Sequence, residues 1–219
     1  MRKSILSLVF SVLLATMGFT TSSNALGLEG LGIGFSVGTA GYYAVGTENT
    51  DNNNPGYGDT KEAGAFQNDI GSVFVEYTAG IATVGIDYHL EDIETPTNTN
   101  LVGASTTNTV KATFENHTTL YASVPVFHAL YVKAGIIYVD ITTQENLGTG
   151  GEYGNTDTTG ITVGFGFQRE IQDGVSVRAE ALFAQYDDVK VTNSKNTTTS
   201  VSVEDMMGAS GRISIVKTF

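Results

Sequence analysis

The sequence predicts an all-β fold, an antiparallel up-and-down transmembrane β-barrel of eight strands. Three observations lead there. Apolar residues alternate with polar ones along most of the chain and seldom recur at three and four. The links between alternating segments are short and long by turns, as tight turns at one end and extended loops at the other would require. The chain also closes on "GRISIVKTF", a strand with apolar Ile213, Ile215 and Phe219 on one face and Arg212, Ser214 and Thr218 on the other. Terminal residues of soluble domains fray, so a bulky aromatic at Phe219 gains little unless something apolar meets that end.

The opening stretch, "MRKSILSLVFSVLLATMGFTTSSNA", places Arg2 and Lys3 before an apolar core from Ile5 to Phe19 and a small-residue exit at Ser23-Asn24-Ala25. That order predicts a signal peptide over residues 1–25 and export through the general secretory pathway. The apolar run is short for a retained spanning helix. Residues 26–219 then form one domain's length of chain. Removing Arg2 and Lys3 takes the formal charge from −12 to −14, which excludes a nucleic-acid partner because phosphate binding needs a basic face. The chain has no Cys, so burial and backbone pairing must supply the stability of an exported protein.

Taken in order, the alternating segments lie near 28–47, 65–79, 80–92, 108–124, 128–145, 157–170, 174–190 and 200–219. Short turns are expected at Ala79-Gly80, at "VPVF" (Val124 to Phe127) and at "IQDG" (Ile171 to Gly174). Long polar links are expected at "TENTDNNNPGYGDTKEAG", "EDIETPTNTNLVGAS", "QENLGTGGEYGNT" and "DDVKVTNSKNT". The glycines of "GLEGLGIG" suit close packing inside the barrel, since no strand-to-helix phosphate loop is present.

Each strand offers two rows. Val73, Val75 and Tyr77 oppose Ser72 and Glu76; Val84, Ile86 and Tyr88 oppose Thr83, Asp87 and His89. Val132, Ile136 and Tyr138 oppose Tyr131 and Lys133, and Val177, Ala179 and Phe183 oppose Arg178 and Glu180. A sandwich would also alternate, with its apolar rows inward. Three features favour the barrel: single charges set among Gly and Ala on the polar rows, as in a narrow lumen; Tyr and Phe near strand ends, as in interfacial girdles; and the apolar seat that lipid gives Phe219. Val84 and Ile136 are thus expected to face lipid and Thr83 the lumen.

With "ALYVKAGIIYV" (Ala129 to Val139), "TVGFGFQREIQDGVSVRAEA" (Thr162 to Ala181) and the last strand ending in Phe219, the chain resembles the OmpA/OmpX-like eight-stranded outer-membrane barrels, the porin-family or opacity-type proteins of Gram-negative cell envelopes. The resemblance spans the mature chain and implies a monomer in the outer membrane. It also implies contact with lipid and lipopolysaccharide, and assembly by periplasmic chaperones and the barrel-insertion machinery, which reads Phe219 as an assembly signal. The chain ends with the last strand, so no peptidoglycan-binding domain is expected to follow.

Glu76, Asp87, Glu115, Lys133, Arg178, Glu180 and Arg212 are the lumen candidates. An eight-stranded barrel is just wide enough for side chains to fill. Glu76, Lys133, Arg178, Glu180 and Arg212 are therefore expected to form an ion-pair plug, and Lys133 or Arg212 to be the cation that changes partners if the plug opens. The function expected is envelope support and surface display, with a narrow diffusion pore as the alternative. A hydrolase built on Asp87 and His89 is the distant alternative, because an Asp and a His two apart on a strand share a face. No enzyme activity, cofactor or metal is expected, although His117 beside His89 and Glu115 would be the place to look for a metal. The first three long loops carry Glu48, Asp51, Asp59, Glu62, Glu91, Asp92, Glu94, Glu145, Glu152 and Asp157 against Lys61, a solvated rim open to external ligands or to divalent cations that bridge to lipopolysaccharide.

Overall fold

A computed structural model describes residues 29–50, 60–102, 106–148 and 150–219; the predicted signal peptide lies outside them. The strands are β1 (Leu31–Thr50), β2 (Thr60–Ala79), β3 (Ala82–His89), β4 (Ile93–Glu94), β5 (Asn98–Val102), β6 (Thr106–Phe127), β7 (Leu130–Asn146), β8 (Thr156–Gln172), β9 (Val175–Tyr186), β10 (Val189–Thr192) and β11 (Thr199–Thr218). Eight of them form a ring in the order β1-β2-β3-β6-β7-β8-β9-β11, and β11 returns to β1 with every pairing antiparallel. The closing seam runs from Gly32↔Thr218 to Thr50↔Thr199.

Burial shows which side of the sheet is lipid. Glu76, Asp87, Lys133, Arg178, Glu180 and Arg212 are buried, whereas Val75, Ile86, Ile136, Ile161 and Ile213 are half or more exposed or close to it. A sandwich would have the reverse. Apolar residues turned outward all round a closed sheet require an apolar solvent. Tyr77, Ile81, Phe127 and Phe167 ring this band toward the short turns, and Tyr88, Tyr138 and Phe183 ring it at the other end. Lys217, which breaks the outward row of β11, donates to the Asp173 carbonyl at 2.9 Å, carrying its charge to the turn.

Two expectations about connections change. "VPVF" is not a turn: Val124–Phe127 stay in β6, which bulges between Pro125 and Phe127, and the chain reverses at His128, with a φ of 46°. The other short turns fall at Gly80-Ile81 and Asp173-Gly174. The predicted loops also hold strands. β4 and β5 pair with β6, and β10 pairs with β11, inside stretches whose polarity suggested only loop. The stretch that holds β4 and β5 carries Thr95, Thr97 and Thr99, whose β-branch favours extended backbone without needing an apolar face.

The outer ends thus form a paired collar. The Tyr153 hydroxyl crosses it to Glu48 Oε1 at 3.2 Å. Burial and the Glu48 carboxylate push that hydroxyl up to about 12, so it remains a donor at neutral pH.

Phe219 lies just past β11, where its N–H donates to the Leu31 carbonyl and its own carbonyl accepts from Gly30, both at 2.9 Å. The last residue is therefore part of the seam that closes the ring. Deleting Phe219 should lower the amount of folded, membrane-embedded protein, measured by heat-modifiable gel migration of the membrane fraction. Unchanged folded yield would remove its role as an assembly signal.

Candidate functional site: an ion-paired plug in the lumen

The period of two sends one side chain in every pair inward, and the register sets which of them meet. Arg212 on β11 lies directly opposite Glu180 on β9, and its Nε donates to Glu180 Oε2 at 2.6 Å. Its Nη1 reaches across the lumen to Asp87 Oδ2 on β3 at 2.8 Å. Lys133 on β7 donates to Glu180 Oε1 at 3.3 Å and sits 3.6 Å from the centroid of the Tyr121 ring. Arg178 grips Glu76 with two parallel N–H donors, Nη1 at 2.8 Å and Nη2 closer still, the bidentate fork that suits a carboxylate. The structure thus brings together Glu76, Lys133, Arg178, Glu180 and Arg212, and adds Asp87.

Two tyrosines complete the network. Tyr121 donates to Glu76 Oε2 and Tyr131 to Glu180 Oε1, each at 2.8 Å. Their rings need the space over glycine. A Cβ on Gly85 would lie 2.6 Å from the Tyr121 ring, and one on Gly166 would lie 2.3 Å from that of Tyr131. The inward row of "ALYVKAG" held Tyr131 in plain view, but its donor role was missed. The available signal is a Tyr on a polar row whose cross-strand partner is Gly.

Glu115 does not belong to the lumen. β6 bulges between Glu115 and Thr118, with Asn116 at a φ of 53°, so the inward parity changes from odd to even above that point. Glu115 pairs with exposed Asp140, and Phe114 pairs with buried Ile141. The expected His89, His117 and Glu115 grouping is thereby broken. Among the described residues, no three His, Cys, Asp or Glu are placed to hold a metal.

His89 and His117 do meet. Their rings stack at 4.1 Å with 19° between planes, and His117 Nε2 lies 3.1 Å from the Tyr186 hydroxyl. Asp87 is held by Arg212; its Oδ1 and the His89 Nδ1 are buried without a hydrogen-bond partner. The two residues share no hydrogen bond in this structure. On the outer side of the plug, Asp87, His89, His117, Lys133, Tyr186 and Arg212 line a cavity of about 50 Å³.

A closed ring of eight antiparallel strands with an apolar outside and charged, ion-paired side chains inside is a membrane-spanning β-barrel. The chain belongs to the outer membrane protein beta-barrel domain family, whose model matches residues 11–204. It is accordingly a protein of the Gram-negative outer membrane.

Among solved structures it is similar to OprG of Pseudomonas aeruginosa, at 13% identity over 87% of this chain and 97% of that one, with a TM-score of 0.57. Neisserial surface protein A is 13% identical over 84% of this chain and 97% of its own, with a TM-score of 0.36. The outer membrane protease OmpT of Escherichia coli is 7% identical over 86% and 96%, with a TM-score of 0.47. At such identity the likeness to OprG speaks to fold alone, and the protease activity of OmpT is that protein's own. No curated protein matches the chain.

Proposed function

We propose that the protein is a non-enzymatic barrel whose lumen is closed by the ion-paired plug, and that it serves the envelope by bracing the membrane and displaying its outer rim. The observation that carries this reading is the run of ion pairs Asp87–Arg212–Glu180–Lys133, which meets the Glu76–Arg178 pair through Tyr121, a ring that lies under Lys133 and donates to Glu76. The lack of a hydrogen bond between Asp87 and His89 Nδ1 supports the non-catalytic part. Its partners are lipid and lipopolysaccharide around the wall, periplasmic chaperones and the insertion machinery during assembly, and external ligands or divalent cations at the acidic rim.

The test is conductance of the refolded barrel in a planar bilayer at neutral pH. Wild type should show small, infrequent openings. Lys133→Ala removes a cation, leaves Glu180 with Arg212 and Tyr131, and opens space that water can enter. Conductance should rise and become more cation-selective. A large, steady wild-type conductance would favour the narrow diffusion pore, and an unchanged Lys133→Ala barrel would place Lys133 outside any gate.

A further inference from the structure

His89 and His117 take no part in the plug, yet they are packed against it. Their stacked rings close the outer side of the cavity above Arg212 and Lys133. The Nδ1 atoms of both rings and Asp87 Oδ1 are buried without a protein partner, and all three residues line that one cavity. Buried polar atoms left unpaired are costly, so their collection around one space indicates that it is wet. A volume of about 50 Å³ holds about three water molecules.

The charged and titratable groups facing the stack come from every side: Asp87 on β3, Tyr42 on β1, Tyr186 on β9, Lys133 on β7 and Arg212 on β11. β2 contributes only Ile70. His117, Tyr42 and Tyr186 also line a second cavity further out, whose other walls include Phe66, Ile93 and Phe114. The stack therefore lies between the plug and the outer mouth.

We propose that the lumen is an acid-opened path for small inorganic anions, with the His89–His117 stack as its trigger; this rests on the plug being the barrier to permeation. At neutral pH each imidazole carries one proton and the rings stack without charge repulsion. On acidification each takes a second proton from the outer solution, relayed through water in the cavity that is left neutral, and two imidazolium rings stand 4.1 Å apart. Like charges at that separation drive the rings from their stack. Charged His89 attracts Asp87, its neighbour on the same strand face, through the free Oδ1. Asp87 then releases Arg212, and the tie from β3 to β11 across the lumen is lost. In the closed plug the cations Lys133, Arg178 and Arg212 balance Glu76, Asp87 and Glu180. The two added protons leave the lumen positive, which selects anions.

The experiment is planar-bilayer conductance of the refolded full barrel under a potassium chloride gradient, with the outer side taken from about pH 7.5 to about pH 3.5, an acid end set well below the ordinary histidine value because both rings are buried beside Arg212 and Lys133. Wild-type conductance should rise about tenfold or more, as for an open state lifted from a small minority, and the reversal potential should move toward that of chloride. The double variant His89→Gln/His117→Gln retains every carboxylate of the plug, so its conductance should stay flat across the same range. His117→Arg should be open already at neutral pH. Heat-modifiable migration checks that each variant is folded, and the double variant carries the test if His117→Arg is not. A wild type closed at both pH values overturns the trigger and leaves the plug standing. An acid response that survives in the double variant overturns it too, because plug carboxylates would then be the groups titrating. A wild type wide open at neutral pH overturns the plug reading and this proposal together.

Discussion

Replacing Arg212 with Met should lower the unfolding free energy of the barrel by about 3–5 kcal/mol, the range for removing one partner from a buried ion pair. Arg212 serves two carboxylates, Glu180 at 2.6 Å and Asp87 at 2.8 Å. Glu180 would retain Lys133 and Tyr131. Asp87 would not fare so well, because its Oδ1 already has no partner and Oδ2 would lose the Arg212 donor. Adding Asp87→Leu should recover most of the loss, since an apolar pair of similar size removes the stranded charge. Urea unfolding from lipid vesicles, followed by tyrosine emission in this Trp-free chain, measures both effects. A loss for Arg212→Met below about 1 kcal/mol, the size of an exposed pair, would show that water screens the plug.

Ile136→Arg is expected to cost about 2–4 kcal/mol, the penalty for a cation near the bilayer midplane. Ile136 is 49% exposed on the lipid face and pairs with Leu120 and Ile161, which are similarly exposed. Val84 also faces outward, but it pairs with Tyr77 close to the short turn at Gly80-Ile81. Val84→Arg should therefore cost only about 0–1 kcal/mol, because the side chain can reach the interface. The same unfolding assay ranks them. Spin labels at Val84 and Thr83 test the faces directly: lipid relaxants should reach the former, and equal access at both positions would show the alternation to be misread.

The membrane band was legible because lipid enforces a strict period of two there. In "IATVGIDYHL" and "ALYVKAGIIYV" each outward residue is apolar, so the faces and the inward charges could be read from parity. Parity fails wherever one residue is inserted. Glu115 was lost in this way, and the sign was Asn116, a residue type that tolerates the left-handed conformation it adopts. Asp205, with a φ of 53°, marks the corresponding irregularity of β11, where Tyr43↔Met207 gives way to Val45↔Glu204. Beyond the membrane, alternation fades because neither face must avoid water, and strands such as β5 and β10 look like loops in sequence. Lumen partners were only half legible: sequence supplied the charges, but which cation meets which carboxylate depends on side-chain reach across a closed ring. Parity turns Asp87 inward, but only the cross-lumen distance from β11 makes it the far anchor of Arg212.

The paired collar has a consequence for recognition at the cell surface. β1 contains 20 residues. At about 3.4 Å per residue, a strand of that length tilted by about 40° rises about 50 Å, twice the apolar band of about 25 Å. The outer half stands in water with its backbone hydrogen bonds already made to β2 and β11. A partner that docks on this rim meets a surface whose conformational freedom was surrendered during folding. Association then carries little entropic penalty from immobilising the backbone, so a modest contact area gives more affinity than the same residues would on a floppy loop.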